Sequence, residues 1–256
     1  MLEKENDVLV SVIMPNFNGS KYIDESMQSV LGQTIPSLEL IVIDDGSLDE
    51  SREIIERVQR HDGRVIFISS EGGLGPAKAR NAALDIARGR YIAFLDSDDY
   101  WFEDKLKVQL SMMNRTRAGV SCTAMHVVDE NSNVVGERTP LEKFIYSDLI
   151  RSTIITSSVI VDRTVVGHFK MPDISRRQDL ALWLSLCRRV GEIVGVNEVL
   201  GAYRVHGDSY SRNKFISAYY TWKVIREVEK IPPVRAAYYF TLYALKGLKG
   251  RFKGLN

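Results

Sequence analysis

Four apolar runs of strand length, separated by stretches with helical periodicity, constrain this 256-residue chain more than any other feature. They are "VLVSVIM" (8–14), "LELIVID" (38–44), "VIFIS" (65–69) and "YIAFL" (91–95). After the first run, which Pro15 is expected to close, Ile23, Met27, Val30 and Leu31 fall at i, i+4, i+7 and i+8, a helix with one buried stripe. After the second, Ser47 and Glu50 form a capping-box pattern for a helix that buries Ile54, Ile55 and Val58. After the third, "EGGLGPAKARNAALDIARG" reads as a glycine loop, a proline in a first helical turn and a helix ended by Gly89. Three strand–helix alternations imply an α/β fold with a mainly parallel sheet and helices on both faces. Strands apolar on both sides are what a doubly covered sheet needs. Ligands of such sheets bind beyond the carboxyl ends of the strands. Polar residues gather there: Asn16 and Asn18, Asp44 and Asp45, and the group 96–99.

Beyond Trp101 the pattern weakens. We expect a helix over 102–114, a strand over 119–128 turning at "ENSNVVG" into another, a helical "LEKFIYSDLI", a strand over 153–162, a helix over 178–191 and a last strand over 196–206. Only Cys122 and Cys187 are present, too few for a disulfide framework or a zinc site, which points to a reducing, cytoplasmic compartment. The acidic start "MLEKENDVLV" lacks a signal-peptide pattern, and no apolar run reaches the roughly 20 residues that span a bilayer. The net charge of +1 gives no reason to expect nucleic acid as a partner. It hides an asymmetry: residues 212–256 carry ten Lys/Arg against two Glu.

The segment "YIAFLDSDDYW" ends a buried strand in Asp96, Ser97, Asp98 and Asp99, three mutually repelling carboxylates. Such a cluster caps the next helix, lies in a solvated turn, or holds a hard cation. Capping suits Asp99. The cation reading gains from position, because Asp44 and Asp45 arrive at the same edge. Mg²⁺ takes one or two carboxylates and completes its shell with phosphate and water.

"SVIMPNFNGSKYIDESMQSVLGQT", "ELIVIDDGSLDES", "GPAKARNAALDIARGRYIAFLDSDD" and "RRQDLALWLSL", in that order, resemble the inverting family 2 glycosyltransferases of GT-A fold, over roughly residues 8–211. The nearest likeness is to single-domain bacterial enzymes that build capsule, exopolysaccharide or O-antigen repeats. The resemblance implies a GT-A domain over 1–211, with a nucleotide-binding half (8–101) and an acceptor-binding half (102–211), and a basic amphipathic helical tail over 212–256. It implies a metal-dependent, non-processive transfer from a nucleotide-diphosphate sugar, a UDP-sugar or alternatively a dTDP-sugar, with Mn²⁺ or Mg²⁺ as cofactor. By the same resemblance Asp45 reads the base with Asp44 beside it, Pro15 and Asn16 line base and ribose, and Arg80 lies near the nucleotide. Asp98 binds the metal; Asp96, with Ser97 alongside, contacts the ribose or a metal-bound water. In "YRVHGDSYS", Arg204 is assigned to phosphate and His206 to metal or phosphate. Each also has a plain structural reading, from turn to solvated charge; for Asp45, helix capping is the less favoured one.

Asp179 matches the family's general base, which takes the acceptor hydroxyl's proton; from local sequence alone it reads as an N-cap. Gln178 stands where most relatives carry a further acid. Trp183, one turn on, is placed either in the acceptor site or in the core. "QDLALW" lacks the arginine of the processive synthases' Q-x-x-R-W. In the tail, Leu245, Leu248 and Phe252 form one helical stripe and Lys246, Lys249 and Lys253 the next, near Tyr238, Tyr239 and Tyr243. That pattern suits an anionic membrane interface at the inner face of the cell membrane, where a polyprenyl-diphosphate-linked saccharide acceptor would sit. It equally suits a helix docked on its own domain or on a twin subunit in a homodimer. Two rivals stand beside the transferase. A sugar nucleotidyltransferase usually needs a glycine-rich basic loop after the first strand, and "PNFNGSKY" has one glycine. A catalytically inactive nucleotide-sugar binder or assembly subunit has no need of Asp45, Asp96, Asp98 and Asp179 together.

Overall fold

The computed structural model describes residues 8–152, 154–205 and 214–252, the last stretch with side chains for 216–243. The first half alternates as expected: β1 (Val10–Asn16), α1 (Ile23–Leu31), β2 (Leu38–Asp44), α2 (Ser51–His61), β3 (Val65–Ser69), α3 (Gly75–Ile86) and β4 (Tyr91–Phe94). The second half continues with β5 (Tyr100–Trp101), α4 (Lys105–Thr116), β6 (Val120–Val128), β7 (Val134–Arg138), β8 (Lys143–Phe144), α5 (Tyr146–Arg151), β9 (Ile160–Asp162), α6 (Arg163–Val166), α7 (Gln178–Val190), β10 (Ile193–Arg204), α8 (Lys214–Lys223) and α9 (Pro233–Phe252). One sheet runs in the order β3-β2-β1-β4-β9-β6-β10-β5, with β7 on β6 and β8 on β10. The pairs among β3, β2, β1 and β4 are all parallel, and β6 pairs parallel with β10. Short antiparallel β9 joins the two parallel blocks.

The period-2 alternation of each strand sorts its residues to opposite faces. Ile13, Ile41, Ile43, Ile92 and Phe94 face α3 and α7. Val12, Met14, Leu40, Val42 and Ala93 face α1, α2 and α4. The sheet is therefore buried on both sides, which explains its apolar strands. The polar exceptions sit at its lower end: the buried Glu39 carboxylate accepts from the Ser11 hydroxyl at 2.6 Å and from Arg88 Nε and Nη2 at 2.8 and 2.7 Å.

Several local expectations need correction. Pro15 does not end β1; it pairs in register with Ile43, and the strand runs on to Asn16. Pairing with β4 has already stopped at Ile13, so the missing N–H costs no ladder bond there. Ser47 and Glu50 form no capping box: Ser47 turns back to bond Asp44, Asn16 and the Asn18 N–H, and α2 starts at Ser51. Gly89 is not the helix cap, since α3 ends at Ile86. A Cβ there would stand 2.5 Å from the Ser11 backbone nitrogen, so close approach to β1 requires glycine. The stretch 153–162 is not one strand. A 3₁₀ turn at Thr156–Ser158 interrupts it, with the Ser158 hydroxyl donating to the Ile155 carbonyl at 2.7 Å, as serines compete with strand bonding. "LEKFIYSDLI" splits into β8 and α5, with Asp148 accepting from the Ile145 N–H at the helix start.

The start of the tail is continuous with the core. Val224 and Ile225, in a π-helical turn at Val224–Val228, and Ala236 on α9 pack in the same apolar cluster as α7. The buried Glu229 carboxylate accepts from Arg188 on α7 and from the Tyr146 hydroxyl on α5. Trp222 meets Phe240 edge-on at 5.5 Å. The side chains of Leu245, Lys246, Leu248, Lys249 and Phe252, and all of Lys253, lie outside the described residues.

Candidate active site

The carboxyl ends of β1, β2 and β4 deliver their polar residues to one edge, as the alternation implied, and most of these residues are already bonded to one another. Asp44 is fully buried; its carboxylate accepts from Asn16 Nδ2 at 2.8 Å, the Ser47 N–H at 3.0 Å, the Ser47 hydroxyl and Arg52 Nε at 2.9 Å. Burial pushes this carboxyl up, but the bonds from Ser47, Asn16 and Arg52 outweigh burial and hold it below the ordinary value. With that set of donors Asp44 fixes the first loop and has no face toward a ligand. Asn16 is buried with it, and its Oδ1 has no hydrogen-bond partner. Pro15, half-buried, precedes it on the strand.

Asp45 takes the capping role that seemed least suited to it. Its Oδ1 accepts from the Leu74 N–H at 2.8 Å and the Ser70 hydroxyl at 3.1 Å, and its Oδ2 from the Gly75 N–H at 2.7 Å. Those amides open α3, where a carboxylate satisfies orphan donors and meets the positive end of the helix dipole, for about 0.5–2 kcal/mol. One lone pair of Oδ2 is left over for a further donor. The loops after β2 and β3 touch here: Gly46, at φ 77°, has Gly72 Cα only 2.6 Å from where a Cβ would stand.

At the end of β4 the three aspartates diverge. Asp96 has its side chain 33 % exposed and pairs with the nearly buried Arg80, whose Nε has no partner. Ser97 lies beside it and accepts the Ser26 hydroxyl at its carbonyl, 2.8 Å away. Asp98 is half-buried, and its carbonyl accepts Arg204 Nε at 2.9 Å. Asp99 caps no helix, since β5 follows it directly. It is buried, accepting from the Ser157 hydroxyl and from the Arg204 backbone N–H at 2.8 Å. Burial first, then the neighbouring carboxylates of Asp98 and Asp96, push the Asp99 carboxyl well up.

Arg204 does not face an open cleft. It is 1 % exposed and donates to Glu25 Oε2 at 2.7 Å, to the Asp98 and Asp129 carbonyls and to the Ser132 hydroxyl, between the rings of Tyr22 and Tyr100. Its assignment to phosphate is therefore replaced by a structural one: it ties β10 to the acid cluster. His206 lies outside the described residues.

Asp179 is the second residue of α7, not its N-cap; Arg177 holds that place at φ 62°. Asp179 lines a small pocket with Leu149, Ser152, Ile154, Arg177, Leu180 and Trp183; its volume is about 10 Å³, room for roughly one water. Trp183 is 1 % exposed; its Nε1–H is buried without an acceptor, and Gln178 Oε1 is buried without a donor. The Trp183 ring packs edge-to-face on Phe94 at 5.8 Å, worth about 0.5–1.5 kcal/mol beyond burial.

Two contacts join this pocket to the acid cluster. Phe94 stands two residues before Asp96, and Trp183 one helical turn after Asp179. The 3₁₀ turn that follows the pocket residue Ile154 supplies Ser157, whose hydroxyl accepts the Asp96 N–H at 3.1 Å and donates to Asp99. The indole N–H of Trp101 holds the Ser157 carbonyl at 2.7 Å. Beneath Trp101, Lys105 is 0 % exposed, its Nζ 3.6 Å from the ring centroid and without a hydrogen-bond partner; burial pushes its amine well down. Sequence reasoning missed Ser157, Lys105 and Arg177. A lysine on the apolar stripe of α4 was the signal available for one of them.

Among the described residues no three metal-binding side chains are gathered in advance. The donor chemistry still suits a hard cation: Asp96 and Asp98 offer hard oxygens at a partly open strand end, and such an ion usually draws its other ligands from phosphate and water.

The sequence model described as glycosyl transferase family 2 matches residues 11–171. The putative teichuronic acid biosynthesis glycosyltransferase TuaG of Bacillus subtilis is 41% identical over 95% of this chain and 97% of its own length. The Escherichia coli UDP-Glc:α-D-GlcNAc-diphosphoundecaprenol β-1,3-glucosyltransferase WfgD is 36% identical, over 95% of each. In structure, residues 1–349 of S. aureus TarS in complex with UDP-GlcNAc superpose with a TM-score of 0.74 at 20% identity, covering 94% of this chain and 73% of that one. The mannosyltransferase PcManGT from Pyrobaculum calidifontis, in complex with GDP-Man and Mn²⁺, gives 0.65 at 16% identity, over 93% of this chain and 73% of that one.

Proposed function

The chain belongs to glycosyl transferase family 2, and from that premise we propose a non-processive, inverting transfer of one sugar from a UDP-sugar to a hydroxyl of an undecaprenyl-diphosphate-linked saccharide, in the synthesis of a surface polysaccharide. The observation that carries the reading is the junction of the two polar centres, Asp96–Asp99 and the Asp179 pocket, through Phe94–Trp183 and Ser157.

In this reading Asp96 and Asp98 would hold a divalent cation at the donor diphosphate, and Arg80 orients Asp96 through their ion pair. The cation, Mn²⁺ or Mg²⁺, supplies charge stabilisation to the leaving diphosphate. Asp45, on the same strand end, offers its remaining lone pair to the imide N–H of uracil or thymine, which also admits a dTDP-sugar. Asn16 and Pro15 border the ribose side. Asp179, in the first turn of α7, takes the proton of the attacking hydroxyl.

No described helix is long and apolar enough to cross a membrane. A lipid-linked acceptor would therefore be met at the cytoplasmic surface of the membrane. Val234 and Tyr238, both strongly exposed on α9, and the lysines that follow support an interfacial role for the tail.

The test is a thermal-shift screen of nucleotide sugars with and without Mn²⁺, followed by product analysis with the best donor and a diphosphate-linked acceptor. UDP-sugars should raise the melting temperature, EDTA should abolish the gain, and Asp179→Asn should keep the shift while losing transfer by about 10²–10⁴-fold. Normal turnover by Asp179→Asn rejects that residue as the base. Pyrophosphate release from NTP and sugar phosphate would favour a nucleotidyltransferase, and UDP binding without hydrolysis or transfer an inactive binder.

A further inference from the structure

We infer that Arg177 recognises the anionic diphosphate of the acceptor, and that Tyr243 of the tail helix holds Arg177 in place for that task. The inference rests on the reading of this protein as a transferase acting on diphosphate-linked saccharides. Arg177 lines the same pocket as Asp179, two residues before it in sequence. Its backbone is left-handed, at φ 62° and ψ 22°, a conformation costly for a side chain with a Cβ and kept only where the surroundings impose it. Among the described residues its guanidinium donates from Nη2 to the Tyr243 hydroxyl at 3.0 Å, a neutral partner. The other arginines near the two centres are committed: Arg80 to Asp96, Arg204 to Glu25, Arg188 to Glu229 and Arg151 to Asp148.

The rest of the pocket points the same way. Trp183 lines the same pocket, and its buried Nε1–H has no acceptor. The opening amides of α7 add the positive end of a 13-residue helix. Asp179 is the only carboxylate among the described lining residues, and the attacking hydroxyl would engage it. In a lipid-diphosphate monosaccharide one pyranose ring separates that hydroxyl from the diphosphate. A cation that reads the diphosphate must then stand within a side-chain length of the base, as Arg177 does. The planar guanidinium fork matches paired phosphate oxygens. Tyr243 becomes a positioning residue, and the tail helix a wall of the acceptor site.

Calorimetric titration with saturating UDP and Mn²⁺ tests this, using two probes: a short-prenyl diphosphate-linked GlcNAc and the neutral alkyl α-glycoside of the same sugar. The wild-type chain should prefer the diphosphate by at least ~10-fold, as expected for hydrogen bonds to a charged group. Arg177→Ala should erase that preference, Arg177→Lys should restore part of it, and Tyr243→Phe should narrow it, all with unchanged affinity for the neutral glycoside. Equal wild-type affinities for the two probes, or a preference that survives in Arg177→Ala, would overturn the inference. Whether UDP raises the melting temperature of the same samples judges the donor reading separately.

Discussion

The carboxylates of the strand-end edge and the donors at the head of α7 differ in how fully they are hydrogen-bonded. At the edge, Asp44, Asp45 and Asp99 already accept hydrogen bonds from Ser47, Asn16, Leu74, Gly75 and Ser157. At the head of α7, Trp183 Nε1 and Gln178 Oε1 are buried without partners, as Asn16 Oδ1 and Arg80 Nε are at the edge, and among the described residues Arg177 donates to the Tyr243 phenol. Unpaired buried polar atoms cost free energy that native folds rarely leave uncompensated. The edge is assembled before any ligand arrives. The head of α7 keeps hydrogen-bonding capacity in reserve, which suits the acceptor-binding role proposed for it.

Three substitutions would break or sharpen this contrast. The largest effect is expected from Asp98→Asn, which removes a carboxylate proposed to hold the cation. Transfer should fall about 10²–10³-fold with the melting temperature nearly unchanged, measured by product formation and calorimetry. Asp44→Ala should do the reverse. It strands the Asn16 amide and the Ser47 N–H and costs about 2–3 kcal/mol in urea unfolding; little of this comes from Arg52, which is 40 % exposed and screened. The pH dependence has a fixed sign. Because the Asp44 carboxyl is held below its ordinary 3.8, its stabilisation is complete above that value and fades as pH falls through the lower folded value. The variant should therefore lose stability less steeply below about pH 4. The smallest effect belongs to Lys105→Met, which exchanges an unpartnered buried amine for a thioether and should raise stability by about 1 kcal/mol. A loss of that size would instead mean that the ammonium's seat on the Trp101 ring is net favourable.

The strand–helix alternation was legible because β1, β2 and β4 are covered on both faces, so their composition announces their burial; β3, at the sheet edge, is covered only in part, with Ile68 exposed. Segment 153–162 was not, since the hydroxyls of Ser157 and Ser158 bend an apolar run into a 3₁₀ turn for reasons that lie in Asp99 and Ile155, far apart in sequence. The carboxylates could be gathered at one edge from the strand ends alone. Which of them were spoken for could not, because the partners come from other loops: Leu74 and Gly75 for Asp45, Ser157 for Asp99. Arg204 misled for the same reason, its charge being answered by Glu25, 179 positions earlier.

The seat of Lys105 also has a consequence at the bench. Reagents that decorate amines through water will modify the lysines of the surface and pass over this one, because no solvent reaches its nitrogen and burial disfavours its charge. The prop beneath Trp101 thus stays chemically silent in the native protein, and its first modification would report that α4 has come away from the sheet.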